Sequence, residues 1–172
     1  MNIYMTSGTP DFMETLRDKY PQENMIAMQA GDNSVLLHET TGKTVFQTPR
    51  HYEVIASSGA LDDNGYFVFN HIPVTDEGRP IFEHRFKKLA NALDEVLGFI
   101  AFRLLRPLHS DMYIVITEWS ANTYYKMWKK SSSFNDAHLT GHIEAGVDST
   151  PHIFTGASSV TAYIGKTRGD ES

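Results

Sequence analysis

Three side chains in the second half of the sequence have types and surroundings that could do chemistry: Asn70, Trp128 and His138. Phe134, Ala137 and His138 stand at i, i+3 and i+4, so a short helix there turns the imidazole inward with its apolar neighbours. A neutral imidazole offers one lone pair to a metal and one N–H to a supporting carbonyl. The same ring can equally serve as a hydrogen-bonded core residue. Asn70 interrupts the apolar pattern of Val68, Ile72 and Val74. A buried amide needs a partner, either backbone at a strand irregularity beside Pro73 or a ligand in a pocket it lines. Trp128 follows Ala121, Tyr124 and Tyr125 at helical spacing, which puts its indole on a buried stripe, as core or as the flank of a cleft. His138 and His142 are four apart, but no glutamate follows His138 and Gly141 interrupts the turn, so they fall short of a zinc-protease pair. Neither a glycine-rich phosphate loop nor a Gly-x-Ser-x-Gly elbow occurs.

The chain that must position these groups has 172 residues, 41% of them hydrophobic and 12% aromatic. That is too apolar for disorder and long enough for one medium domain or two small ones. Its longest apolar runs, such as Phe99–Phe102 and Met112–Ile116, fall far short of the roughly 20 residues of a membrane span. Met1–Gly8 lacks the basic-then-apolar pattern of a secretory leader. The absence of cysteine excludes disulfides, thiolate metal sites and a cysteine nucleophile. A net charge of -6 disfavours nucleic acid as a partner. The expectation is a cytoplasmic protein that handles a small molecule.

The order of elements is legible from pattern. Asn2–Thr6 reads as a strand, and Thr9-Pro10 opens a helix with Phe12, Met13, Leu16 and Tyr20 on one stripe. Met25–Gln29 and Val35–Glu39 form a hairpin across Gly31-Asp32-Asn33. Tyr52–Ala56 reads as a helical turn, and the turn-rich stretch from Ser57 to Gly65 marks a boundary, giving expected units of 1–62 and 63–172. In the second half Phe67–Val74 is a strand, with Phe67 and Phe69 facing one way and Val68, Ile72 and Val74 the other. Pro80 opens a helix striped by Phe82, Phe86, Leu89, Ala90, Leu93, Val96 and Leu97 and closed by Gly98. Strands at Phe99–Leu105 and Tyr113–Trp119 follow, then a helix capped by Ser120, a short helix boxed by Ser133 and Asp136, and a strand at Ser159–Ile164. This β-α-β-β-α-β order is that of the ferredoxin-like fold, of α+β class. The first half reads as an incomplete copy, packed sheet to sheet against the second as a pseudo-dimer.

The segment from Trp128 to His138, with Ser131, Phe134 and Ala137 between them and Asn70 on an earlier strand, resembles the IsdG-type haem-degrading monooxygenases of the antibiotic-biosynthesis-monooxygenase superfamily. Leu36-Leu-His-Glu-Thr, Tyr52-Glu-Val-Ile, Val74-Thr-Asp-Glu-Gly-Arg-Pro and Leu104-Leu-Arg-Pro-Leu extend the likeness to the longer two-part branch called HmoB. More distantly the chain is similar to TRAP-like proteins, which lack the histidine of the Ala-His pair. What the resemblance implies is haem as substrate and cofactor, opened with dioxygen and an external electron donor, with release of iron. His138 would be the axial ligand of the iron, Asn70 would face the distal side, and Trp128 would press on the porphyrin, with Phe134 beside it. The implied partners are haem and a reductase or small reductant, on a monomer with one haem per chain. A haem carrier or sensor, or a TRAP-like signalling protein, is the alternative. Lys129, Lys130, Arg103 and Arg106 are the candidate cations for the haem propionates.

Overall fold

The computed structural model describes residues 1–131 and 153–167. It opens with β1 (Asn2–Gly8), α1 (Pro10–Asp18), β2 (Met25–Ala30), β3 (Asn33–Thr40) and β4 (Arg50–Ser58). There follow β5 (Tyr66–Pro73), α2 (Arg79–Lys87), α3 (Leu89–Ala92), β6 (Phe99–Pro107), β7 (Met112–Trp119), α4 (Asn122–Lys129) and β8 (Ser159–Lys166).

Local chemistry accounts for most boundaries. The Thr9 hydroxyl accepts from the Phe12 N–H at 3.4 Å and Pro10 takes the first turn of α1, where a missing N–H costs nothing. The stripe expected across α2 survives as Phe82, Phe86, Leu89, Ala90 and Leu93, but the helix breaks at Lys88, and Leu97 is exposed. Gly98 then turns the chain with φ of 81°, a conformation that suits glycine. Ser120 does not cap α4. Ala121 holds the N-cap position, while Ser120 donates to the Gly98 carbonyl from both its backbone N–H and its hydroxyl.

The largest departure from the sequence pattern is Tyr52–Ala56, which is strand and not a helical turn. β4 pairs antiparallel with both β1 and β6, and a bulge between Val54 and Ala56 breaks the alternation that would have marked it as a strand. With β4 in place, the strands close in the order β1-β3-β2-β8-β5-β7-β6-β4. The two sheets expected to pack face to face are also joined edge to edge, at β2–β8 and at β4–β6.

Each strand therefore has an inner and an outer face. Phe67 and Phe69 point inward with Ile3, Met5, Ile114, Ile116 and Tyr163. Val68 and Ile72 point outward into a layer completed by Phe82, Phe86, Leu89, Tyr125 and Trp128. A smaller outer layer lies under α1, with Met13, Met25, Ala27, Leu36 and Phe46. At roughly 25 cal/mol per Å² of apolar area, these layers supply the main drive for folding.

Candidate functional site

Asn70 lies on β5 between Val68 and Ile72, so its side chain belongs to the outer layer beneath the carboxyl-terminal helices. Its Cα neighbours across the sheet are Val115 on β7 and Val160 on β8. The residue is only 5% exposed, yet its amide makes no hydrogen bond with any described residue. The backbone bond at a strand irregularity is thus not what occupies it. Two fully sealed polar atoms lack a hydrogen-bond partner among the described residues, Arg79 Nε, which has Asp76 Oδ1 at 3.6 Å as an ion-pair contact, and Glu118 Oε2. Leaving such a group unpaired costs about 1–3 kcal/mol.

The floor around it is apolar. Side chains directly opposite one another share a face, so Val160 stands beside Asn70, Ala162 beside Val68 and Ile164 beside Tyr66. Val160 is 54% and Ile164 56% exposed, while Tyr163 between them turns into the barrel. On this outer face the β5 side chains Val68 and Asn70 are buried, while Val160 and Ile164 on the β8 edge of it stand open.

Trp128 closes one end of the same layer. Its ring lies 5.4 Å from that of Trp119 at an interplanar angle of 35°, and 6.4 Å from Tyr125. Tyr125 in turn sits 6.3 Å from the Tyr66 ring, and burial, with Tyr66 beside it, pushes its hydroxyl pKa up to about 12. Trp119 is paired with Tyr66 across the sheet. Asn70 is four residues further along β5, about 13 Å at strand spacing. The structure thus places Asn70 and Trp128 in one layer, at the two ends of an apolar strip. His138 and Phe134 lie outside the described residues, as do His142 and the Ser133–Asp136 pair. Among the described residues, no group of three or more histidines and carboxylates could hold a metal ion.

Of the four cations considered for an anionic ligand, two are committed elsewhere. Arg103 points into the barrel, where Nε meets Glu39 at 2.6 Å and Nη1 donates to the carbonyls of Ser58, Gly59 and Phe102. Arg106 grips Glu83 at 2.6 and 2.8 Å and Glu53 at 2.8 Å. Burial would raise the Glu83 pKa, but the Arg106 guanidinium and the Tyr113 hydroxyl outweigh it and hold the carboxyl below its ordinary value. Lys129 and Lys130 remain at the end of α4, both exposed, with the Lys129 ammonium 5.5 Å from the centre of the Tyr125 ring. Sequence reasoning could not separate these four, because only the fold reveals which already have carboxylates.

A cavity of about 400 Å³ at one end of the barrel is lined by Glu23, Asp62 and Asp63, and so repels an anion. Among the described residues, no helix is long and apolar enough to cross a membrane.

Known proteins are similar in sequence and fold. Residues 65–139 match the family model described as antibiotic biosynthesis monooxygenase. A Listeria monocytogenes protein named heme-degrading monooxygenase is 29% identical over 129 residues, 75% of this chain and 77% of that protein. The signal transduction protein TRAP of Staphylococcus aureus is 27% identical over 162 residues, 94% of this chain and 93% of its own. Among solved structures, one described as that of a major regulator of staphylococcal pathogenesis superposes with a TM-score of 0.84 at 25% identity, covering 97% of this chain and all 100% of the other. The likeness read from the residues is borne out as a resemblance and in the fold: residues 65–139 match the antibiotic biosynthesis monooxygenase family, and the α+β chain, whose solved neighbours include a ferredoxin-fold protein, is similar to both haem-degrading and TRAP proteins.

Proposed function

We propose that this chain is a haem-degrading monooxygenase whose substrate lies flat on the outer face of β5 and β8. The observation that carries this reading is the Asn70 amide, without a hydrogen-bond partner among the described residues and buried in an apolar face next to the exposed Val160. A flat, mostly apolar ligand with one polar centre suits such a surface. It would cover Val160 and give the amide a partner. The strip from Trp128 to Asn70 is on the scale of a porphyrin macrocycle.

When bound, haem supplies the iron and the oxidisable ring, and dioxygen and an external electron donor complete the reaction. The protein's own residues orient and shape. Asn70 would offer an amide N–H to the bound group, in a site where low dielectric strengthens the bond. Trp128, backed by Trp119 and Tyr125, is a rigid edge against which the macrocycle is pressed. His138 is proposed as the axial ligand, with Phe134 packing beside it. Lys129 and Lys130 are the cations left for the propionates. We further propose two units, 1–62 and 63–172, acting as a monomer in the cytoplasm, with a reductase or small reductant as electron donor.

The test is spectroscopic. Apo-protein mixed with haemin gives a Soret band that decays when reductant is added under oxygen, with an open-chain tetrapyrrole as product. A band that persists through many equivalents of reductant identifies a carrier or sensor. The 27% identity to TRAP over 94% of the chain supports a second reading, a signalling protein, for which haemin gives no Soret band at all. His138→Ala is expected to lose iron ligation.

A further inference from the structure

The amino-terminal half contains a second built cavity, of about 320 Å³, between α1 and the segment that follows β3. One wall is a helical stripe of Phe12 and Leu16, continued by Tyr20. The other is Val45 and Phe46, and Lys19 stands among them. The sequence pattern assigned Phe12 to the buried stripe of its helix, yet Phe12 is 63% exposed and Val45 37%, while Met13 and Arg17 are the residues that α1 buries. Apolar walls left open to solvent on a helix that could have turned them inward favour a ligand.

The second wall is fixed in advance. Buried His38 bonds Glu23 through Nε2 at 2.7 Å and Thr44 through Nδ1 at 3.0 Å. Thr44 Oγ1 accepts from the Phe46 N–H at 3.2 Å, and the Phe46 ring meets the His38 ring edge-on at 5.7 Å. A wall held this way does not need ordering on binding, which spares affinity. The volume lies at the lower end of ligand cavities, roughly 300–1,000 Å³.

Charge selects the ligand. Lys19 is the only charged residue lining the cavity. Its ammonium lies 5.9 Å from the centre of the Tyr20 ring, and among the described residues no carboxylate pairs with it. Every other lining group is apolar, aromatic, hydroxyl or amide. We propose that this cavity binds a small amphipathic carboxylate, its hydrocarbon between the α1 stripe and Val45–Phe46 and its carboxylate on Lys19. The site is separate from the outer face of β5 and β8, and does not depend on the reading given there.

Isothermal titration of the full chain with octanoate and with octanol tests this. Octanoate should bind one per chain, and Lys19→Gln should weaken it about fivefold, the scale of one partly exposed ion pair, while leaving octanol unchanged. Val45→Asp, a change at an exposed position that the fold tolerates, should abolish binding of both. Failure of octanoate to bind at millimolar concentration overturns the proposal, as does an affinity indifferent to Lys19→Gln or Val45→Asp. Concentration-dependent dimerisation that Val45→Asp abolishes and octanoate does not disturb also overturns it, since the face would then belong to a second copy.

Discussion

A single unpaired amide separates Asn70 from every valine and isoleucine around it. If its purpose is a ligand, the empty protein carries the cost. Asn70→Val is therefore expected to raise the unfolding free energy of the apo-protein by about 1–2 kcal/mol, measured by urea titration. The same substitution should slow haem turnover at least tenfold while the Soret band still forms. A destabilised variant would mean that the amide is satisfied after all. Glu118 is the other residue whose surroundings make a sharp prediction. It is fully buried inside the barrel, where Oε1 accepts from the Asp62 N–H at 2.8 Å and Oε2 has no partner among the described residues. Burial first, then the Asp62 and Asp63 carboxylates, raise its pKa from 4.5 to about 8, against the opposing pull of the Asp62 N–H bond and, more weakly, of Arg103. The folded state holds this proton more tightly than the unfolded one. The stabilisation is thus complete below pH 4.5 and fades as pH climbs through about 8. Thermal melts of the parent should fall from about pH 5 to 8 and level off above that, and those of Glu118→Gln should lack this decline; parallel curves would refute the assignment.

At the scale of elements, the strand linking the two halves of the sheet rests on a buried ion pair. Arg103 on β6 and Glu39 on β3 are each 7% exposed in their side chains and meet across the barrel interior. Removing one partner leaves the other charge stranded, so Arg103→Ala should cost about 3–5 kcal/mol, and the double replacement Arg103→Met with Glu39→Leu much less. Chemical denaturation of the two variants checks this. The elements themselves were largely readable. The alternation of Phe67 and Phe69 against Val68 and Ile72 correctly announced a strand covered on both faces, because each face meets its own apolar layer. Thr9-Pro10 announced α1 through capping alone. β4 was hidden because its bulge spoils the period and because its partners, β1 and β6, are distant in sequence. Phe12 misled because helical spacing identifies a stripe without saying which stripe the fold will bury. Of the candidate site, the sequence placed Asn70 and Trp128 on the right elements. It could not show that the amide lacks a partner, or that Arg103 and Arg106 already have theirs.

For the whole molecule, the shared interior predicts how the halves depend on each other. Phe67, Phe69, Ile114, Ile116 and Tyr163 meet Ile3, Met5, Ile26 and Leu37 across the barrel. Residues 63–172 expressed alone would expose that inner face, and size-exclusion chromatography should find the fragment as a dimer or larger while the full chain runs as a monomer. β8 carries a further consequence. It is the last strand of the barrel to be synthesised, yet it sits between β2, one of the earliest, and β5. Arg17 on α1 donates to the Lys166 carbonyl at the end of this strand. Until β8 leaves the ribosome, β2 and β5 each present an unpaired edge to the crowded cell. The nascent chain therefore waits half-built, and a chaperone that shields those two edges until β8 arrives should raise its yield more than any single contact inside the finished barrel.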